Sequence, residues 1–240
     1  MLSSVPLAAD RETSIERNIN RRMTFSLIGR CPRTGQFGAA VSTSSIAVGA
    51  RVAFCSAGVG AVLTQHRTDP RLGPRGIALL RSGCSAQQTV DALVASTQHA
   101  HWRQIAVLDA AGDSAAYSGA RIRPEMSEAA GQDACAIGNI LANARVPAAM
   151  LLAFQSDPTA PLAERLLHAL EEGLAAGGED GPVRSAHLLI VEHESFPLVD
   201  LRVDWHDRPI AVLRDLWTRY APQSGEYLLR ALDPDHPAIP

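Results

Sequence analysis

The alternation of apolar and polar residues begins at Thr24 and predicts that the chain opens with β-strands. Thr24–Arg30 has this pattern, and residues 37–45 are predicted to form its partner after a turn signal at 32–35. Shorter runs at 52–55 and 59–64 predict a second pair of strands. Strands that follow one another after such short turns are expected to pair as antiparallel hairpins.

Apolar residues farther along the chain recur at a helical spacing, which predicts helices. Ser85 and Gln88 have the spacing of a capping box, and the helix that they start is predicted to run to about residue 97. The clearest helix has Pro161 in its first turn and ends near residues 177–178. Its apolar face consists of five leucines, Leu162, Leu166, Leu167, Leu170 and Leu174. The other predicted helices cover residues 74–81, 146–155 and 209–220, and the other predicted strands cover 103–108, 115–119, 133–138, 185–192 and 198–203.

This order of elements predicts an α+β fold. Strand hairpins come first, helices follow in pairs, and hairpins and helices then alternate again, which favours packed layers with antiparallel sheets. The repeated βαβ units of a parallel sheet are not evident. Gly58-Val59-Gly60 lies between two strands instead of before a helix, so we interpret it as a turn and not as a phosphate loop. Residues 228–240 are rich in Pro and Asp and are predicted to be peripheral.

Composition narrows the class of protein. A chain of 240 residues with 46% hydrophobic and 20% charged residues fits one globular domain. The net charge of -3 gives no basic footprint for nucleic acid, and no apolar run approaches the ~18 residues that a membrane span needs. Four scattered cysteines without zinc spacing predict reduced thiols in a cytoplasmic protein, with no disulfide framework and no metal site.

The segment before Thr24 differs from the rest of the chain. Residues 1–23 turn polar and charged and have too little apolar surface to join a core, so we interpret them as a leader: a pro-segment, or a start assigned upstream of Met23. In both cases Thr24 becomes the first residue. Its free α-amine, with a pKa near ~7.7–8.0, would then lie beside its own hydroxyl, which pairs a nucleophile with a base. The alternative is that Met23 is an ordinary internal methionine and Thr24 an ordinary strand residue.

Several sequence blocks recur together in the order of a known family. They include Thr24-Phe25-Ser26, Ala47-Val48-Gly49-Ala50, Ala57-Gly58-Val59-Gly60-Ala61, Gly138-Asn139-Ile140-Leu141-Ala142, Ala176-Gly177-Gly178-Glu179 and Val199-Asp200-Leu201-Arg202-Val203-Asp204. On these blocks the chain resembles the bacterial and archaeal family catalogued as domain of unknown function 1028, which is assigned to the N-terminal-nucleophile (Ntn) hydrolase superfamily. The resemblance runs from Thr24 to about residue 234.

The resemblance implies a four-layer αββα sandwich, in which two antiparallel sheets pack face to face between outer helices. Residues 24–240 would form this single domain. In that superfamily the hydroxyl of the first mature residue attacks an amide carbon, its own amine carries the proton, and an oxyanion hole stabilises the intermediate. Thr24 would therefore be both nucleophile and base.

The remaining candidates each have an ordinary structural alternative. Asn139 follows a glycine at a strand end, where its amide would face a developing oxyanion or simply accommodate a turn. Thr43 and Ser44 belong to a hydroxyl-rich run that would orient the Thr24 amine and bind substrate, or form a polar strand edge. Many relatives carry Arg or Lys where this chain has Ser44, so a cation that would bind an anionic substrate is absent there.

Two further groups are candidates for substrate binding. Gln65 and His66 lie where a strand exits, although a lone histidine is commonly a satisfied surface residue. Glu179, Arg184 and Ser185 lie on a glycine-rich loop, where Arg184 is a possible carboxylate clamp or the partner of Glu179 in an internal salt bridge. The tryptophans, including Trp102, are interpreted as core or interface residues.

Two classes of function follow. The first is an amidohydrolase that cleaves a C–N amide or ureido bond of a small soluble metabolite without a cofactor; a cell-wall amide hydrolase is the weaker enzyme alternative, because no wall-binding domain is evident. The second is a non-catalytic binding or assembly protein, in which the leader stays attached and Thr24 remains buried. We expect a homo-oligomer in either case.

Overall fold

The computed structural model describes residues 23–235, so the predicted leader lies outside the described residues except for Met23. This part of the chain contains ten β-strands and six α-helices. The strands are β1 Thr24–Arg30, β2 Phe37–Thr43, β3 Ala53–Ser56, β4 Gly60–Gln65, β5 Gln104–Asp109, β6 Ser114–Ser118, β7 Met126–Gly131, β8 Ala134–Asn139, β9 Ser185–Val191 and β10 Val199–Val203. The helices are α1 Leu72–Arg81, α2 Ala86–Ala95, α3 Val146–Gln155, α4 Leu162–Ala175, α5 Pro209–Tyr220 and α6 Ser224–Leu232.

The strands form two sheets in which every neighbouring pair is antiparallel. The larger sheet has the order β10-β9-β2-β1-β8-β7, and the smaller sheet has the order β3-β4-β5-β6. β1 therefore lies in the interior of the larger sheet, between β2 and β8. The register places Thr24 opposite Thr43 on one side and opposite Asn139 on the other.

Three apolar clusters show how the sheets and helices are layered. Phe25 and Leu27 of β1 pack with residues of α3 and α4 on one face of the larger sheet. Ile28, the residue after Leu27, points to the opposite face and packs against residues of the smaller sheet. The outer face of the smaller sheet packs against α1 and α2. The fold is thus α+β with two antiparallel sheets and helices, which is consistent with the predicted sandwich.

Local signals in the sequence placed several helices correctly. The capping box that starts α2 is present, because the Ser85 hydroxyl accepts from the Gln88 N–H and the Gln88 side chain accepts from the Ser85 N–H. The leucine face of α4 is buried up to Leu170. Leu174, which the periodicity assigned to the same face, is 43% exposed, since it lies in the last turn.

Two elements were not predicted from the sequence. β7 is an edge strand with the composition Met-Ser-Glu-Ala-Ala-Gly, and no residue in it is buried, so it has no apolar face of its own. α6 begins at Ser224 and includes part of the segment predicted to be peripheral; it also buries no residue completely. β1 has its predicted boundaries, β2 ends at Thr43 instead of residue 45, and the boundaries of the other predicted strands differ from the prediction by one residue.

Candidate active site

A pocket of about 360 Å³ lies beside Thr24, the first residue of the central strand β1. This volume is at the lower end of the range of about 300–1,000 Å³ that is common for small-molecule sites. Thr24 is the one strand residue in the lining, and the other lining residues lie in segments that connect the strands: Ser45, Val48, Arg51, Val52, His66, Arg67, Thr68, Trp102, Arg123 and Ile140. Thr24 thus lies at the end of the larger sheet where these connecting segments meet.

The Thr24 hydroxyl lies close to two oxygen atoms. It is 2.7 Å from the carbonyl oxygen of Met23 and 3.3 Å from the hydroxyl of Thr43. The Thr43 hydroxyl in turn donates to the same Met23 carbonyl. The peptide group that joins Met23 to Thr24 is therefore held by two hydroxyls, both of them largely buried.

Glu179 does not line the pocket. It supports the Met23–Thr24 peptide group from the side that faces away from the pocket. Its two carboxylate oxygens lie 2.9 and 3.2 Å from the backbone nitrogen of Ser44, which donates to them. Burial raises the pKa of Glu179 well above its ordinary value, while hydrogen bonds from Ser44 and Thr43 act in the opposite direction. The side chain is 4% exposed, so desolvation outweighs those bonds.

A buried polar network connects the two sheets beneath Thr24. The Ser26 hydroxyl donates to Gln65, and Gln65 donates to Gln104, both at 2.7 Å. Asn139 Nδ2 donates to the same Gln104 oxygen at 3.0 Å. The Gln104 nitrogen donates to the carbonyl of Gly138 at 3.0 Å and to another hydroxyl, so the orientation of each amide in this network is fixed.

Asn139 is directly opposite Thr24 and has no exposed surface. Among the described residues, its side-chain oxygen is a buried acceptor with no hydrogen-bond partner. An unsatisfied buried acceptor costs about 1–3 kcal/mol, and such atoms in native structures call for a functional or structural explanation.

His66 and Trp102 form one wall of the pocket. Their rings stack with centroids 6.0 Å apart and an interplanar angle of 12°. His66 Nδ1 lies 2.9 Å from the Trp102 carbonyl, so Nδ1 carries the hydrogen and Nε2 is the free acceptor when the ring is neutral. Burial lowers the pKa of His66, and the nearby charges of Arg67 and Arg123 lower it further. The imidazole is therefore neutral near pH 7.

The backbone around the pocket is strained at four positions. Ala47, His66, Arg67 and Ile140 all have positive φ angles, between 21° and 53°, although none is glycine. Three of them line the pocket, and Ala47 lies between the lining residues Ser45 and Val48. Such conformations cost about 1–3 kcal/mol each and cluster at ligand sites, where the surrounding structure maintains them.

The structure brings most of the predicted site residues together. Thr24 and His66 line the pocket, whereas Thr43, Asn139 and Gln65 lie directly around Thr24 through strand pairing and the buried network. Ser44 lies behind the pocket with Glu179, and its hydroxyl is 3.4 Å from the Met23 nitrogen.

Ser185 and Arg184 lie farther from Thr24. The Ser185 hydroxyl donates to the Ser45 carbonyl at 2.6 Å and accepts from the Val48 N–H at 3.2 Å, so it positions two lining residues. The Arg184 side chain does not line the pocket; it pairs with Asp207 and lies over the Trp205 ring at 5.7 Å. Only its backbone N–H contacts the site, through the Thr43 carbonyl.

Sequence reasoning missed five residues of the site. Gln104 connects the network, while Arg51, Arg67, Arg123 and Trp102 line the pocket. Trp102 is a half-buried wall residue and not a core residue, and the predicted alternative, an interface residue, stays a prediction. The one available signal was the adjacency of Arg67 to the candidates Gln65 and His66; the other residues approach Thr24 only after folding.

Comparison with known proteins identifies the family. A family described as "Family of unknown function (DUF1028)" matches residues 24–213. The chain belongs to this family. The DUF1028 match begins at Thr24, the residue that borders the pocket, and it confirms the family predicted from the sequence blocks.

A solved structure supports the same relationship. The chain is similar to the crystal structure of protein SPO2555 from Silicibacter pomeroyi, which is itself described as a DUF1028 protein. The TM-score is 0.78 and the sequence identity is 29%, over 83% of this chain and 86% of that one. A search of curated proteins found no match.

Three further properties concern residues 23–235. No helix in this part of the chain is long and apolar enough to cross a membrane. No group of three or more His, Cys, Asp or Glu side chains is arranged there so that it could hold a metal ion. The four cysteines are free thiols, of which Cys31 and Cys135 are buried.

Proposed function

We propose that the protein is an Ntn amidohydrolase that cleaves an amide or ureido C–N bond of a small metabolite. The observation that carries this proposal is the position of Thr24, which begins the central strand with its hydroxyl at a pocket at the end of the larger sheet. The αββα sandwich of Ntn hydrolases places the nucleophile in the same way, and the layering of this chain is consistent with that architecture.

The mechanism requires that Thr24 become the first residue. While Met23 is attached, the Thr24 nitrogen is an amide and cannot accept a proton. Loss of residues 1–23 converts it to an α-amine, whose pKa near ~7.7–8.0 leaves a useful neutral fraction at pH 7. It also removes the Met23 carbonyl, to which the hydroxyls of Thr24 and Thr43 now donate, so both hydroxyls become available to substrate.

The reaction then proceeds in two steps. Thr24 Oγ1 attacks the substrate carbonyl carbon while its proton passes to the α-amine; the C–N bond breaks, and the leaving nitrogen takes that proton. A water molecule next attacks the resulting ester and gives a proton to the same α-amine, which returns it to Thr24 Oγ1 as the acid leaves. The Thr24 hydroxyl, its α-amine and water carry all the proton transfers of these steps.

We assign the stabilisation of the oxyanion to hydrogen bonds from Asn139 and Thr43. Asn139 is opposite Thr24, and its Nδ2 uses one N–H on Gln104, which leaves a second N–H for the developing charge. Thr43 already donates to a carbonyl oxygen beside Thr24, namely that of Met23. Residues that lie behind them, Glu179 and Gln104, keep both side chains in place.

The competing function is a non-catalytic binding protein. The protein has this function if Met23 remains attached. The Thr24 hydroxyl then stays in contact with the Met23 carbonyl, and Thr24 has no free amine to act as the base. The pocket is large enough to hold a small molecule in that case. A cell-wall substrate, a homo-oligomeric assembly and a cytoplasmic location remain predictions.

Hydrolysis of a panel of small amides and ureides tests the proposal. The wild-type protein should release amine or ammonia from at least one of them, Thr24→Ser should retain part of that activity, and Thr24→Ala should lose it by roughly 10⁴-fold or more. Thr218→Ala, which removes an exposed hydroxyl on α5, is the matched control and should leave the rate unchanged. Equal activity in Thr24→Ala and wild type would refute the role of Thr24.

A further inference from the structure

A second pocket, of about 380 Å³, lies at the start of α1 and shares no lining residue with the pocket beside Thr24. Its lining combines the segment around the first turn of α1, residues 96–99 after α2, and Arg103 just before β5. The volume is within the range of about 300–1,000 Å³ that is common for small-molecule sites. The proposed hydrolase chemistry uses none of these residues.

The lining of this second pocket carries more positive than negative charge. It contains three arginines, Arg71, Arg75 and Arg103, and, among the described residues, one carboxylate, that of Asp69. Arg71 engages this carboxylate twice, because its Nε donates to one oxygen and a terminal nitrogen donates to the other, both at 2.8 Å. The carboxylate is thus matched by one arginine, and the lining holds two more.

Arg103 is the most buried of the three arginines. Its side chain is 12% exposed, and its terminal nitrogen lies 3.9 Å from the nearer Asp69 oxygen, which is beyond hydrogen-bond distance. Its Nε is a buried donor that has no hydrogen-bond partner among the described residues. Burial lowers the pKa of Arg103, and the charge of Asp69 acts in the opposite direction. A buried cation with an unused donor is costly, and an anion beside it supplies both the charge and the acceptor that it lacks.

Arg75 is held at the same pocket by neutral groups. Its guanidinium donates to the Ser96 hydroxyl at 2.9 Å and lies 3.4 Å from the Ser96 carbonyl oxygen. An oxyanion is a stronger acceptor for a guanidinium than either of these oxygens, because a bond between opposite charges is roughly twice as strong as one between neutral groups. The contact with Ser96 also restrains the side chain, so less conformational freedom is lost when Arg75 binds a ligand.

We propose that this second pocket is a binding site for a small oxyanion, phosphate or carboxylate, with Arg103 on its buried side and Arg75 at its rim. The planar fork of a guanidinium binds two oxyanion oxygens at once, which suits Arg103 to this role. Asp69 keeps Arg71 in place and limits the number of positive charges in the pocket. The site is independent of the proposed hydrolase, since none of its residues takes part in the reaction at Thr24.

His66 provides a spectroscopic readout of this site. The positive charge of Arg103 is one of the causes that lower the pKa of His66, although His66 lines the other pocket. An anion bound at Arg103 offsets that charge, so it should raise the titration midpoint of the His66 ring. An anion bound to a distant surface arginine should leave the midpoint unchanged.

The closing experiment titrates the full chain with inorganic phosphate and with acetate, against sodium chloride at equal ionic strength. Calorimetry should show one saturable site, and NMR should show the rise in the His66 midpoint as that site fills. Tighter binding of phosphate than of acetate indicates a phosphate-bearing ligand, and the reverse order indicates a carboxylate. Thr24→Ala should bind the same anion with unchanged affinity, because Thr24 belongs to the other pocket.

Matched arginine variants locate the bound anion. Arg103→Gln and Arg75→Gln should each weaken its binding by about tenfold, and Arg103→Gln should also abolish the effect of the anion on His66. Arg75 is exposed, so its variant serves as the test if Arg103→Gln fails to fold. Arg219→Gln, which removes an exposed arginine at the end of α5, should change nothing. Absence of saturable binding up to about 10 mM of either anion, or equal affinities in wild type and all three variants, would overturn the site.

Discussion

Thr24 and Thr43 lie opposite each other across β1 and β2, and their hydroxyl oxygens are 3.3 Å apart beside one carbonyl, that of Met23. The second hydroxyl is placed by strand register and not by a flexible loop. Glu179 holds the next residue, Ser44, through its backbone N–H, which fixes the end of β2. Thr43 is therefore as well positioned as the proposed nucleophile itself.

Removal of the Thr43 hydroxyl should impair catalysis more than stability. Thr43→Val keeps the shape of the side chain, and we expect kcat to fall about 10²-fold with little change in KM, because a donor to the oxyanion is lost. Thr43→Ser should recover most of the rate. The measurements are steady-state kinetics and the pH profile of kcat/KM, which reports the pKa of the Thr24 amine. If Thr43→Val matches wild type in both, Thr43 has no part in the reaction.

Gln104 should be a main determinant of stability around the site. Gln104→Leu leaves the buried amide donors of Gln65 and Asn139 and the Gly138 carbonyl without their partner. Each such group costs about 1–3 kcal/mol, so the free energy of unfolding should fall by about 3 kcal/mol or more. Urea denaturation measures this loss. Gln87→Leu on the exposed face of α2 is the control and should stay within about 0.5 kcal/mol of wild type.

Glu179 should make stability depend on pH. Its folded-state pKa is raised by burial, so the folded chain keeps the proton at pH values where the unfolded chain, with a pKa near 4.5, has released it. The free energy of unfolding should therefore fall as the pH rises above 4.5, and it should level off only above the raised folded-state pKa. Glu179→Gln should flatten this decline in denaturation curves recorded at several pH values.

The matched control for that experiment is Glu172→Gln, at an exposed position on α4. It should show the same decline of stability with pH as wild type. An unchanged slope in Glu179→Gln would mean that the Glu179 carboxyl is ionised in the folded protein.

His66 should titrate below its ordinary pKa of 6.5. Burial is the larger cause, so Arg67→Gln should raise the titration midpoint only part of the way, by removing one of the charges that oppose protonation. A folded-state pKa below that of the unfolded chain also means that the stability linked to His66 is lost as the pH falls below 6.5. NMR titration of the His66 ring measures the midpoint. If Arg219→Gln raised the titration midpoint of His66 as much as Arg67→Gln does, this explanation of the shift would be contradicted.

Much of the fold could be predicted because its signals are local. The capping box at Ser85, the leucine repeat of α4 and the prolines at the starts of α3 and α5 each lie within the element that they specify. β7 lacks such a signal, because it buries no apolar face of its own. α6 has an amphipathic pattern within its own sequence, but the prediction treated residues 228–240 as a peripheral segment and missed it. β7 forms only because β8 offers it an edge to pair with.

The residues of the candidate site also divide into those with a local sequence signal and those without one. Thr24 could be selected as a candidate from the sequence, because the proposed chemistry depends on one bond to its neighbour Met23 and the sequence blocks around it resemble a known family. Gln104 and Arg123 could not be predicted, since Gln104 enters the buried network and Arg123 reaches the pocket only when the chain is folded. Their partners are remote in sequence: Gln104 donates to Gly138, which lies 34 residues away.

The state of the bond between Met23 and Thr24 tests the central claim most directly. An intact mass with N-terminal sequencing, on protein purified from its native host, measures it. The account predicts a chain that begins at Thr24 and carries a free α-amine. A stable chain that retains Met23, alone or with residues before it, would contradict the Ntn mechanism and favour the binding protein.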